Sequence, residues 1–74
     1  MRRKIIGYDK TLELLKQGYE LRETPINYNL YMYLGEEIIT IRKDVLSKLI
    51  QNNIKLNRKN ENWVEIYTLK EMNK

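Results

Sequence analysis

The chain has 74 residues, no cysteine and no histidine, and 14 basic against 10 acidic side chains, for a formal net charge of +4. One domain is expected at this length, with a single core that leaves only a few kcal/mol of net stability, so self-association into a homo-oligomer is an economical remedy. The missing residue types remove disulfides, the usual zinc ligands and the Cys-His and Ser-His nucleophile systems. Most enzyme classes are thereby disfavoured, and the reading is of a non-enzymatic binding protein without a cofactor or metal.

The first residues, Met1-Arg2-Arg3-Lys4, read as a flexible basic arm over 1–4, able to follow a phosphate backbone or merely to solubilise. The apolar run stops at Ile5-Ile6 and has no small-residue cleavage site, so no signal peptide is expected. No apolar segment approaches the roughly 20 residues that span a bilayer. The expectation is a cytoplasmic protein with no membrane partner.

In "GYDKTLELLKQGYELR", Leu12 and Leu15 share one helical face, Asp9 is a candidate N-cap and Gly18 suits a left-handed stop. This predicts a helix over 10–17. "YELRET" alternates Tyr19 and Leu21 with Glu20 and Arg22, a short strand ended by Thr24-Pro25. "NYNLYMYL" reads as a second strand over 27–34, with Tyr28, Leu30, Met32 and Leu34 on its packed face and Asn29, Tyr31 and Tyr33 on the other. Gly35-Glu36 turns the chain into the β-branched "EIITIRK", closing a hairpin.

Val45, Leu46, Leu49 and Ile50 then make the apolar stripe of a helix over 44–51, with Asn52-Asn53 as its stop. A second hairpin follows, built of "IKL", a polar turn "NRKNEN" and "WVEIYTL", with Trp63 a partly buried anchor at the start of its last strand. The order is α-β-β-β-α-β-β. The fold class is α+β, a small single domain over 1–74 with antiparallel hairpins packed on two amphipathic helices.

If the three strands before the second helix are neighbours, parity gathers Arg22, Tyr31, Tyr33, Thr40 and Arg42 on one face. Tyrosine offers a flat ring for a nucleobase and arginine a fork for phosphate oxygens, so these five are the candidate ligand-binding residues. Cross-strand Tyr, Thr and Arg pairs also stabilise an exposed sheet that binds nothing. The ten carboxylates have no spacing that converges on a metal, and the three isolated glycines make no phosphate loop.

Residues 40–69 support a second reading. An amphipathic helix followed by a basic hairpin resembles the wing of a winged-helix DNA-binding domain, with Lys48, Lys55, Arg58, Lys59 and Trp63 as its candidate nucleic-acid contacts. A third reading is a protein–protein inhibitor that docks on a host factor through the tyrosine-rich sheet or an open strand edge.

From "YDKTLELLKQGYELRET" to "YMYL", over residues 8–34, the chain resembles small phage proteins that counter Thoeris-type defence by sequestering nucleotide immune signals. Lys16, Gly18 and Arg22 match the helix-Gly-Arg pattern, while Thr24-Pro25-Ile26 stands where that family usually carries a tryptophan. The resemblance implies an oligomeric, non-enzymatic sponge for a phosphate-bearing small molecule. Richness in lysine, asparagine and isoleucine fits an AT-rich genome of a low-GC host or its phages.

Overall fold

The structure, a computed structural model, describes residues 4–70. Its elements are β1 (Ile5–Ile6), α1 (Tyr8–Lys16), β2 (Leu21–Glu23), β3 (Leu30–Leu34), β4 (Glu37–Ile41), α2 (Val45–Gln51), β5 (Leu56–Glu61) and β6 (Val64–Leu69). The expected α-β-β-β-α-β-β order is thus the observed one, with a two-residue strand added in front. All six strands join one sheet in the order β1-β4-β3-β2-β6-β5, antiparallel except for β1 beside β4. β1 carries too few residues to show a period. Residues 1–3 of the expected arm lie outside the described residues, and the Lys4 carbonyl is already engaged, accepting from the Thr40 N–H at 3.1 Å.

Both helices cover one face of the sheet. Leu14, Leu15, Val45 and Leu49 of the helices pack with Leu21, Leu30, Met32, Ile39, Ile41 and Tyr67 of the strands. Burying such side chains is the main favourable term in a domain this small. Each helix ends in a Schellman motif. The Tyr19 N–H reaches the Leu14 carbonyl around Gly18 at φ 104°, and the Ile54 N–H reaches the Leu49 carbonyl around Asn53 at φ 60°. The first helix starts earlier than expected: Gly7, not Asp9, is its N-cap, and the Gly7 carbonyl accepts from both the N–H and the hydroxyl of buried Thr11.

Three expectations are corrected. Tyr28 is exposed and outside the strand, with φ 54° in the loop between β2 and β3, because the Tyr28 N–H bonds back to the Thr24 carbonyl at 2.8 Å and tightens that loop before Leu30. "NRKNEN" is not the turn of the second hairpin. Arg58 and Lys59 lie inside β5 opposite Tyr67 and Ile66, and the reversal occurs at Asn62-Trp63, both at positive φ as in a type I′ turn. Trp63 accordingly sits in the turn with its indole exposed, and anchors nothing within the chain.

Candidate ligand-binding face

The face without helices carries one unbroken row across all six strands. Pairing sets Ile5 beside Thr40, Thr40 beside Tyr31, Tyr31 beside Arg22, Arg22 beside Ile66 and Ile66 beside Lys59. Tyr33, opposite Ile38, lies in the next row. Four of the five candidate residues therefore share this face as parity predicted: Arg22, Tyr31, Tyr33 and Thr40. Arg42 follows the end of β4, where its guanidinium lies 3.8 Å from Asp44 and its methylene stem passes beside Gly7.

The tyrosine rings meet edge to face with centroids 5.6 Å apart. The Arg22 guanidinium lies 5.1 Å from the Tyr33 centroid, within cation–π range, and one of its nitrogens donates to a Glu20 carboxylate oxygen at 3.1 Å. Around this pair Gly18, Tyr19, Glu20, Arg22 and Tyr33 line a cleft of about 230 Å³. A second hollow of about 140 Å³ lies over Ile66 between Glu20, Asn57, Arg58, Lys59 and Thr68. Glu20 walls both, so the two hollows are neighbours along the sheet.

Tyr19 and Glu20 were missing from the sequence-based site. Their signal was present, since Glu20 and Arg22 are two apart in a strand and so share a face. What hid Tyr19 is the tight Gly18 stop, which turns the residue after the helix toward the cleft mouth.

The five residues of the nucleic-acid alternative are not brought together. Lys48 is on α2, 3.4 Å from Asp44. Arg58 points to the helix side of the sheet, where it meets Glu65 at 2.8 Å, and Asn60 donates to the other Glu65 oxygen at 2.9 Å. Those two hydrogen bonds hold the Glu65 carboxyl below its ordinary range, and the carboxylate in turn raises Arg58. Lys59 is on the opposite, helix-free face, 3.9 Å from Glu61. Lys55 lies between α2 and β5, its carbonyl accepting from Lys70, and Trp63 is at the hairpin tip. Nor is the β5–β6 hairpin a free wing, because β6 is paired with β2 inside the sheet.

On the helix side, burial raises the Tyr67 phenol above its ordinary range, and nearby Glu23, which accepts from the hydroxyl at 3.3 Å, raises it further. Among the described residues no three carboxylates come together as a cation site, and no helix is long and apolar enough to cross a membrane. Compared with family models, curated proteins and solved structures, the chain matches none. The likeness to the phage proteins therefore rests on residues 8–34 alone.

Proposed function

We propose that the protein is a non-enzymatic binder that holds a planar, phosphate-bearing ligand of the nucleotide class on its helix-free sheet face, and that it sequesters such a signal on behalf of a phage or mobile element. One observation carries the reading: the Arg22 guanidinium is poised over the Tyr33 ring at 5.1 Å on the floor of the cleft. A base can stack on the aromatic pair while the guanidinium fork meets a phosphate. The neighbouring hollow beyond Glu20, over Ile66 and Lys59, is where a second unit of a dinucleotide would sit.

The DNA-binding alternative has less support, because Lys48, Arg58 and Lys59 each have a carboxylate partner and occupy different faces. The protein-inhibitor alternative draws on the same tyrosines. Calorimetric titration of the purified protein with cyclic dinucleotides and ADP-ribose decides between them. Saturable heat that disappears in Arg22→Ala supports the reading, and absence of heat at high micromolar ligand from both classes removes it.

A further inference from the structure

A different part of the molecule exposes three large apolar side chains together. The loop between β2 and β3 presents Ile26 and Tyr28, at 86% and 67% exposure, and the turn between β5 and β6 presents Trp63 at 81%. Register places them at one end of the sheet. β2 and β6 are neighbours with Glu23 opposite Glu65, so each strand has only one or two residues left before the loop or the turn. The Tyr33 cleft is at the other end, beside the Gly35-Glu36 turn.

The backbone that holds this cluster outward is unfavourable for the residues it carries. Tyr28 has φ 54° and Trp63 φ 69°, a region that bulky side chains avoid. A type I′ turn favours glycine after asparagine, and here the residue after Asn62 is tryptophan. Neither strained position packs its ring into the chain's own core.

We infer that this end of the sheet is a self-association surface, on which a second copy of the chain buries Ile26, Tyr28 and Trp63 across a twofold axis. Area and charge both select that occupant. The aromatic Tyr28 and Trp63 bury about 150–250 Å² each when covered, and with the smaller Ile26 the three groups offer on the order of 500 Å² per copy. Two copies then bury about 1,000 Å², the lower bound of a specific interface, as suits a weak reversible dimer. At this end Arg42 has a carboxylate partner in Asp44, the Glu65 carboxylate opposite Glu23 is engaged by Arg58 from further along β5, and Lys43 is exposed beside Arg42. Two copies therefore meet without massed like charge, and exposed Lys43 falls short of the basic cluster that an anionic lipid surface selects.

Trp63 is the only tryptophan in the chain, so its fluorescence reports directly on this surface. The test is sedimentation velocity and tryptophan emission on the full chain, from low micromolar to millimolar concentration. The expected result is a doubling of mass with a blue shift of emission at the same midpoint. Ile26→Ser, which keeps the reporter, and Trp63→Gly, which suits the turn, should each weaken the dimer by more than about tenfold with unchanged circular dichroism. A monomer up to millimolar concentration overturns the inference. So does a dimer whose indole stays solvated and whose affinity ignores both variants, since another surface then pairs. A blue shift produced only by phosphatidylcholine or phosphatidylserine vesicles assigns the patch to lipid instead. Nucleotide binding at the Arg22 cleft is read separately and stands or falls independently of this result.

Discussion

Arg22 is shared between a ring and a carboxylate: its guanidinium lies 5.1 Å from the Tyr33 centroid and 3.1 Å from a Glu20 oxygen. Its position on β2, opposite Tyr31 and beside Ile66, fixes the side chain on the helix-free face, and Glu20 steers it over Tyr33 rather than into solvent. The arrangement pre-positions the cation and also partly neutralises it. A phosphate entering the cleft competes with Glu20.

Glu20→Gln should therefore tighten binding of an anionic nucleotide, here ADP-ribose. The Glu20–Arg22 pair is partly exposed, so releasing it is worth up to about 1 kcal/mol, or roughly fivefold in affinity. Arg22→Lys should weaken binding more than charge alone explains, because lysine keeps the charge but loses the planar fork. Calorimetry on the three proteins at two salt concentrations checks both. An unchanged or weaker affinity in Glu20→Gln places the phosphate away from Arg22.

Tyr28 and Met32 should separate sharply in stability, although both lie in the stretch 27–34. Tyr28 is exposed in a loop, so Tyr28→Ala should change unfolding free energy by no more than about 0.5 kcal/mol. Met32 is fully buried between sheet and helices, and Met32→Ala should cost about 2–5 kcal/mol, enough to unfold much of so small a domain. Urea denaturation followed by circular dichroism measures the two, and a large loss for Tyr28→Ala would contradict the loop geometry.

The contrast between those two residues shows what was legible in the sequence. Strict alternation through Leu30, Tyr31, Met32 and Tyr33 gave the faces of β3 correctly, and with Arg22 and Thr40 it placed the aromatic-basic patch, because period two leaves no other choice once one face is buried. Tyr28 matched the same alternation yet left the strand, since a local hydrogen bond to Thr24 sets its backbone and apolar parity carries no information about that. The second hairpin failed for a related reason. Polar residues Asn57 to Glu61 read as a turn by composition, but β5 is an edge strand, and charged edges are how sheets avoid pairing with other chains. The pairing of Arg58 with Glu65 was not legible, because its register depends on where Asn62-Trp63 reverses.

Two limbs of pH dependence follow from the helix side of the sheet. The folded Glu65 carboxyl is held below its ordinary value of 4.5 by Arg58 and Asn60. A depressed carboxyl contributes stability that is present above 4.5 and is lost as pH falls through the lower folded value. Tyr67 is raised above 10.0 by burial and by Glu23, so its contribution is full below 10.0 and is lost as pH rises through the higher folded value. Thermal melts across pH should show Arg58→Ala shrinking the acid limb alone and Tyr67→Phe shrinking the alkaline limb alone. If Arg58→Ala leaves the acid limb intact, the Glu65 pair is a solvent-screened contact without energetic weight.

Trp63→Gly should make the monomer more stable, an unusual outcome for removing the largest side chain in a protein. The left-handed backbone at φ 69° costs a residue with a Cβ about 1–2 kcal/mol, a penalty glycine escapes. Glycine also gains freedom in the unfolded chain, which returns roughly half of that, so the net gain is about 0.5–1 kcal/mol. For a domain of this size that corresponds to a rise in melting temperature of about 2–8 °C. Trp63→Ala is the control, because alanine keeps the Cβ and its strain while losing the same exposed ring. Melts are read at low micromolar concentration, where association through the patch does not contribute. A Gly variant that melts with the Ala variant would mean that the turn relaxes at no cost, and the strain argument for Trp63 as a surface held outward would lose its footing.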